Sequence, residues 1–435
     1  MKLKSIHYRC GMLLLLAAMV LAEPAFAQKQ ERGFYKDVWM DGGVRLTSKK
    51  DLPVVRYLGL EMENLLSAAT KDLSARDTLA QSRVVVGSDL DENGHLLYPD
   101  GAPRFRMLYL NGGLATQHGR SLGESGRERI REFIRNGGSY LGSCAGAFIT
   151  GIYCDTVENE IRKDYLHIWP GYCITTGMTD TYTGIFVPGD SPLLNYYDFG
   201  GDLYIDSVYH NGGCYAAIEN GALPEGTVVL TRYDADTMKL KKPAHKRIAS
   251  WAYKASENSG RVVAVGSHPE SSVYGEKLDY MAAMVKYAID GNRAPQLKAE
   301  LEKGVSRKMI YGSSAGKPEY ARIGDKQYHH YTIEVPEGVE TLTVHLESIP
   351  GMKNFDLYAL ANSGDFAWLD SAQYRNIKLG VDKTLFVNRP KAGKLYISVF
   401  CATTVDTKQT FWGTEYCGRT DVLNGVPYII TVDYR

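Results

Sequence analysis

Residues 137–148 place one cysteine between an apolar segment and a run of small residues: Gly137-Gly138-Ser139-Tyr140-Leu141-Gly142-Ser143-Cys144-Ala145-Gly146-Ala147-Phe148. This pattern predicts a short strand, a sharp turn at Cys144 and the start of a helix, because small residues let the backbone bend tightly. A thiol at a helix N-terminus is favoured as thiolate by the positive end of the helix dipole. We therefore interpret Cys144 as a nucleophile on a strand–turn–helix elbow. The alternative is a buried structural cysteine in a glycine-rich turn.

The surrounding residues predict a mostly parallel sheet with helices on both faces, because strand and helix patterns alternate. We predict strands at 38–40, 83–86, 107–110 and 138–142, and helices at 52–66 and 125–134. Ligands of such sheets bind at the carboxyl ends of the strands. Asn111-Gly112-Gly113 and Cys144 both follow a predicted strand.

A thiolate that attacks a carbonyl creates an oxyanion, which needs N–H donors already in place. The Gly112-Gly113 turn can supply one donor, because glycine lets the backbone approach a ligand closely. The N–H of Ala145, directly after the nucleophile, can supply the second. The alternative for Gly112-Gly113 is an ordinary turn between a strand and a helix.

His268 is the best-placed base among ten histidines. A strong β pattern at 261–265 ends in Gly266-Ser267-His268-Pro269-Glu270. Pro269 stiffens the turn, and Glu270 is close enough in sequence to orient the imidazole and stabilise its charged form. The alternative is a surface His-Pro turn.

The composition describes a globular protein of about two domains. The chain has 435 residues, 44% of them hydrophobic and 23% charged. Its formal net charge is zero, so nothing indicates a nucleic-acid partner. Thirty tyrosines predict a polar-aromatic groove for peptide or sugar, although tyrosine packing in β-domains gives the same bias.

Residues 1–27 read as a secretory signal peptide, with a basic start, an apolar stretch at 12–21 and a small-x-small site at 25–27. We expect an exported protein, periplasmic or extracellular, whose mature chain starts at Gln28. No later stretch is long and apolar enough to predict a transmembrane segment.

Six cysteines follow the predicted signal, and pairing is the default in an oxidising compartment. Cys401 with Cys417 is a plausible bridge, and Cys154 with Cys173 is a second. Cys214 is then an odd thiol or lines the site beside Cys144. The sequence does not fix the connectivity.

From residue 327 the pattern changes to alternating strands that predict a small all-β sandwich. The predicted strands are 328–335, 341–347, 355–359, 384–388, 394–400 and 428–433. We predict an α/β domain at 28–292 that closes with a helix at 280–289, a turn-rich linker at 293–318 and the sandwich at 319–435.

The N-terminal motifs resemble those of the class I glutamine amidotransferase-like superfamily, most closely the biotin-protein ligase N-terminal domain type. Five stretches carry this resemblance over roughly 34–292: 41–43 (Asp-Gly-Gly), 111–113, 137–147, 209–213 (Tyr-His-Asn-Gly-Gly) and 268–270 (His-Pro-Glu). The chain departs from the family in having Asn111 before the Gly-Gly turn where relatives usually carry proline. Cys214 also stands where relatives often have proline.

The resemblance implies a flavodoxin-like parallel sheet with flanking helices. It implies Cys144 as nucleophile, His268 as base and Glu270 as its orienter, with Gly113 and Ala145 as oxyanion donors. The implied substrate-binding residues are Gly112, Tyr209, His210, Asn211, Gly212 and Gly213.

The C-terminal stretches 354–358 and 427–432 are similar to the bacterial pre-peptidase C-terminal domain. That resemblance implies attachment to a cell surface or polymer rather than catalysis. Asp356 is a conceivable calcium ligand, but a lone aspartate in a strand is usually paired at the surface, so we predict no metal and no cofactor.

Together these features predict an exported cysteine hydrolase that cleaves an amide or peptide bond through a thioester, with a small-molecule, peptide or amide substrate. A non-catalytic ligand-binding protein on the same fold is the first alternative. An acyl transferase that uses the same cysteine is the second.

Overall fold

A large mixed sheet forms the N-terminal part of the molecule. The computed structural model describes residues 33–41, 52–65, 86–87, 91–153, 161–218, 222–236, 238, 244–352, 354–410 and 413–435. Its strands up to residue 265 are β1 (Lys36–Asp41), β2 (Met62–Leu65), β3 (Phe105–Leu110), β4 (Ser139–Ser143), β5 (Cys173–Thr175), β6 (Thr181–Phe186), β7 (Tyr204–His210), β8 (Cys214–Ala216), β9 (Thr227–Asp234), β10 (Ile248–Tyr253) and β11 (Val262–Val265). The helices are α1 (Pro53–Tyr57), α2 (Ala115–Arg135), α3 (Ala145–Phe148) and α4 (Glu276–Ile289).

Five parallel strands form the centre of this sheet, in the order β2-β1-β3-β4-β11. The sheet continues antiparallel through β10, β9, β6 and β7, while β8 and β5 branch from β10. The carboxyl ends of β3, β4 and β11 therefore lie side by side. This edge receives Gly112-Gly113, Cys144 and His268.

The two long helices cover opposite faces of the parallel strands, because alternate side chains of a strand point to opposite faces. Along β3, Leu108 and Leu110 pack in one core with the buried face of α2, whereas Met107 and Tyr109 pack in another with α4. An α/β domain with helices on both faces is therefore present. Only the central five strands follow the predicted parallel arrangement.

The predicted helix at 52–66 is present only over Pro53–Tyr57. Pro53 starts α1 at its first position, the helix ends at Tyr57, and Gly59 then adopts a φ of +66°. The next residues form β2, which pairs with β1 instead of continuing the helix. The predicted strand at 83–86 lies almost entirely outside the described residues.

The C-terminal part contains a sandwich of two antiparallel-dominated sheets that share one core. Its strands are β12 (Leu297–Glu300), β13 (Arg307–Met309), β14 (Tyr328–Val335), β15 (Thr341–Glu347), β16 (Leu357–Ser363), β17 (Tyr374–Asn376), β18 (Lys383–Asn388), β19 (Gly393–Cys401) and β22 (Tyr428–Tyr434). All six predicted strands are present. The predicted linker 293–318 differs from the structure, because β12 and β13 pair with β14 and β22 inside the two sheets.

A hairpin from the C-terminal part, β20 (Asp406–Thr410) and β21 (Gly413–Cys417), belongs to the large N-terminal sheet. Its strand β21 lies against β2, where Gly413 pairs with Leu65. Gly33–Arg435 accordingly forms one compact unit. The predicted division between 28–292 and 319–435 does not describe how the chain packs.

The cysteines differ from the predicted bridges. Cys401 is buried and Cys417 is exposed, and both are free thiols. Cys173 is also a free, buried thiol, and Cys154 lies outside the described residues. Among the described helices, none combines the length and apolar character that crossing a bilayer requires. The predicted signal peptide lies outside the described residues.

Candidate active site

Cys144 occupies a sharp elbow between β4 and α3, as the sequence predicts. It adopts φ 49° and ψ −104°, a left-handed conformation that is unusual for a residue with a side chain. Small residues permit the bend, because a Cβ on Gly142 would lie 2.3 Å from the Gly146 carbonyl oxygen. Cys144 is only 5% exposed, so its thiol is held in a largely desolvated place.

His268 and Glu270 lie beside the elbow because β11 is the neighbour of β4 in the sheet. The Nδ1 of His268 is 2.8 Å from Oε1 of Glu270, and both side chains are largely buried. Pro269 starts a short 3₁₀ turn that contains Glu270 and so brings the carboxylate back to the ring. The structure therefore places Cys144, His268 and Glu270 together.

The local charges hold His268 in its protonated form. Burial by itself lowers the pKa of His268, but hydrogen bonds to Cys144 and Glu270 and the negative charge of both partners raise it to about 11. An imidazolium is therefore present at neutral pH. A charged imidazole beside a cysteine stabilises the thiolate, which is the nucleophilic form of the side chain.

The Gly112-Gly113 turn reaches the same place from the end of β3. A Cβ on Gly112 would lie 2.6 Å from Cε1 of His268 and 3.4 Å from Cβ of Cys144. Gly113 adopts a φ of +142°, which favours glycine. The Gly112 N–H donates to Oδ1 of the preceding Asn111 at 2.8 Å, so this amide is already occupied.

The two predicted oxyanion donors remain available within the described part of the chain. Ala145 is the first residue of α3, and such a residue has no acceptor for its N–H inside the helix. No described group accepts a hydrogen bond from the N–H of Gly113 or of Ala145. Both amides belong to residues that directly flank the Cys144–His268 pair.

The predicted pocket loop wraps around this pair through its backbone. The carbonyl of Tyr209 accepts the His268 N–H at 2.8 Å, and the carbonyl of Asn211 lies 3.7 Å from Sγ of Cys144. Gly212 is exposed, whereas Gly213 is buried against the backbone, since a Cβ there would lie 1.7 Å from the Gly266 oxygen.

His210 does not line a pocket, in contrast to the prediction. It is fully buried, with Nε2 2.7 Å from Oγ1 of Thr176 and Nδ1 3.3 Å from Oγ of Ser267. Burial and the nearby charge of His268 lower the pKa of His210 to about 3. His210 is thus a neutral structural residue behind the site.

Sequence reasoning missed two exposed neighbours of the site, Asp180 and Tyr182. Tyr182 lies opposite Tyr209 in the β6–β7 pair, with the two ring centroids 5.5 Å apart. The hydroxyl of Tyr209 donates to Oδ1 of Asp180 at 3.0 Å. The alternating pattern at 181–186 could have indicated a strand, but not its partner.

Among the described residues, no group of three or more His, Cys, Asp or Glu side chains is arranged to hold a metal ion. The candidate site itself contains a thiol, an imidazole, a carboxylate and backbone amides. These groups suit nucleophilic attack on a carbonyl carbon.

Part of the chain matches a known family. Residues 101–178 match the family model described as biotin-protein ligase, N terminal. That stretch includes Gly112-Gly113 and Cys144 and ends before His268 and Glu270. None of the curated proteins compared with the chain matches it.

Three solved structures show distant likeness. A glutamine amidotransferase has 14% identity and a TM-score of 0.34, over 57% of this chain and 98% of that chain. The pre-peptidase C-terminal domain of a collagenase from Bacillus anthracis has 14% identity and a TM-score of 0.19, over 33% and 99%. PliG, a periplasmic inhibitor of g-type lysozyme from Aeromonas hydrophila, has 17% identity and a TM-score of 0.20, over 33% and 100%.

Proposed function

We propose that the protein is an exported cysteine-dependent amidohydrolase in which Cys144 attacks the carbonyl carbon of an amide or peptide bond. The observation that carries this proposal is the placement of Cys144, His268 and Glu270 at adjoining strand ends, with Nδ1 of His268 2.8 Å from Oε1 of Glu270. They lie beside two amides for which no described group is an acceptor. A binding site for an intact ligand would not need a protonated imidazole held between a thiol and a carboxylate.

The first half-reaction acylates the cysteine. The Cys144 thiolate forms a bond to the carbonyl carbon, and the N–H groups of Gly113 and Ala145 stabilise the resulting oxyanion. His268 then donates its proton to the leaving nitrogen as the C–N bond breaks. The products are an amine and a thioester on Cys144, while His268 is left neutral.

The second half-reaction releases the acid. Neutral His268 accepts a proton from water as the water oxygen attacks the thioester carbonyl. This proton transfer restores the imidazolium, and collapse of the second oxyanion then breaks the C–S bond and expels the Cys144 thiolate. The net reaction converts an amide and water into an acid and an amine. Glu270 holds the imidazole in orientation through both halves.

The match of residues 101–178 to the biotin-protein ligase N-terminal family supports a site centred on Cys144, since the elbow lies inside the matched stretch. The proposal that the protein is exported rests on the signal-like residues 1–27. Export is supported independently of the thiol chemistry, so N-terminal sequencing of the secreted protein tests export without testing catalysis.

The thiol chemistry is tested by alkylation with iodoacetamide near neutral pH, followed by peptide mapping. Cys417 provides an internal reference, because it is an exposed free thiol far from any predicted base in sequence. We expect Cys144 to react at least tenfold faster than Cys417, and its rate to fall in His268→Ala while the Cys417 rate is unchanged.

Slow labelling of Cys144, or labelling that is indifferent to His268, would contradict the proposal and favour the ligand-binding alternative. If the thiol is activated, a panel of peptide and amide substrates distinguishes hydrolysis from acyl transfer. Hydrolysis releases free acid, and transfer produces a new amide only when an amine acceptor is added.

A further inference from the structure

We infer that the site selects substrates that carry a positively charged group close to the scissile amide, held by Asp180 and the rings of Tyr182 and Tyr209. This inference rests on the proposed function, because it assigns the substrate class of the same cysteine site. We name these three residues the tyrosine ledge.

The tyrosine ledge is joined directly to the catalytic pair. The ring of Tyr209 lies 5.8 Å from the ring of His268, and its backbone carbonyl holds the His268 N–H. Tyr182 extends the ledge away from the base and is 62% exposed. A substrate group next to the scissile bond would therefore meet the Tyr209 ring beside His268.

Asp180 supplies a fixed carboxylate at the edge of these rings. It is exposed, accepts the Tyr209 hydroxyl hydrogen, and is held in place because its own N–H donates to Oδ1 of Asn211 at 3.2 Å. The hydrogen bond to Asp180 raises the pKa of Tyr209, so this phenol stays a neutral donor. A carboxylate beside aromatic faces is the arrangement that binds ammonium and guanidinium groups.

The segment that carries the ledge is acidic in sequence. Residues 164–231 contain six Asp and two Glu but no Lys or Arg, although the whole chain is neutral. In the thiolate–imidazolium state, Cys144, His268 and Glu270 add one net negative charge. A cationic group gains from this field, whereas an anionic substrate is repelled.

The electrostatic preference can be measured on Cys144 with charged methanethiosulfonates, which transfer their thioalkyl group to a thiolate and release methanesulfinate. We compare the trimethylammonium-ethyl reagent with the sulfonatoethyl reagent and take the ratio of their rates. Cys417 in the same protein gives the reference ratio. We expect the cationic preference at Cys144 to exceed that at Cys417 by about tenfold at low salt, and to shrink in high salt.

Three variants distinguish a specific contribution of the tyrosine ledge from the overall negative charge of the segment. Asp180→Asn should reduce the preference several-fold, while Asp190→Asn, an equal charge change beyond the other end of β6, should leave it nearly unchanged. Tyr182→Ala should weaken reaction with the trimethylammonium reagent more than with the neutral methyl reagent.

Equal ratios at Cys144 and Cys417, or a ratio unaffected by Asp180→Asn, would overturn the inference. The rate at which the neutral methyl reagent modifies Cys144 distinguishes this outcome from a failure of the proposed function. Fast neutral modification of Cys144 without a charge preference refutes the ledge alone, whereas slow neutral modification refutes the activated cysteine itself.

Discussion

The absence of a side chain at Gly112 leaves room for the imidazole of His268 at the candidate site. The imidazole of His268 occupies the space where a Cβ at residue 112 would project, and Cβ of Cys144 lies just beyond. This explains why the sequence has glycine there although its φ is not in the left-handed region. The His268 ring, and not the φ angle of residue 112, therefore restricts this position to glycine.

We predict that Gly112→Ala displaces His268 while leaving the fold intact. The new Cβ at 2.6 Å from Cε1 forces the ring to move, so alkylation of Cys144 should slow by about tenfold or more. Circular dichroism should show an unchanged fold. Gly189→Ala is the matched control, since its Cβ would meet only Leu203 at 4.0 Å. Equal alkylation rates of Cys144 in the two variants would contradict a close contact between residue 112 and His268.

The protonated His268 makes a pH-dependent contribution to stability. Its pKa is about 11 in the folded protein and about 6.5 in an unfolded chain, so the folded state binds the proton more tightly. The contribution is fully present below pH 6.5 and is lost as the pH rises towards 11. We expect the stability gap between wild type and His268→Gln in urea unfolding to narrow from pH 6 to pH 10. A stability difference between the two proteins that increases with pH would contradict the ion pair between His268 and Glu270.

At the scale of elements, the strand–turn–helix that carries Cys144 stores backbone strain. A left-handed conformation at a residue with a side chain costs on the order of 1–3 kcal/mol, and such strain is found at functional sites. Tight contacts between Gly142 and Gly146 hold the turn in this form. The thiol is thereby presented at the end of the sheet rather than packed into it.

Removing the side chain should relieve that strain. We predict that Cys144→Gly is more stable than Cys144→Ala by about 1 kcal/mol, because only glycine adopts this φ without penalty. Urea unfolding of the two inactive variants measures the difference. The comparison is free of effects on the ion pair, since both variants lack the thiol. If the alanine variant is the more stable one, the turn is not strained.

The sequence predicts elements well where a local pattern decides them. Strands β14 and β15 begin and end where their alternation begins and ends. The proximity of Cys144, His268 and Glu270 could be predicted because each follows a strand end. The helix at 52–66 failed because pairing of β2 with β1 overrides apolar spacing. His210 was misassigned because a histidine in a glycine-rich loop gives no sign of its burial.

At the scale of the whole molecule, a buried ion pair joins the two parts of the chain. Arg104, from the α/β part, makes a bidentate contact with Asp325, from the C-terminal part, and both side chains are almost fully buried. The Arg104 guanidinium also donates to the hydroxyl of Tyr416 in the hairpin, which in turn donates to Glu63 in β2. Buried polar contacts therefore join the C-terminal part to the α/β part.

We predict that Asp325→Asn destabilises the whole protein by about 3 kcal/mol, because the Arg104 charge is left buried without its counter-ion. We expect the chain to unfold in one cooperative transition that shifts as a whole, and not in two transitions of which only one shifts. Arg104→Met with Asp325→Leu should recover much of the loss, since no charge then remains buried. Glu340→Gln, in a solvent-exposed pair with Arg389, is the control that should not shift it.

The pairing of β21 with β2 also governs the order in which the chain can fold. These strands are separated by most of the chain, so β2 can pair with β21 only after Gly413–Cys417 has been synthesised. Non-local contacts of this kind slow folding, and an uncovered strand edge invites association with other chains. Until β21 has paired, the backbone of β2 that it covers is open to pairing with a strand of another copy of the chain.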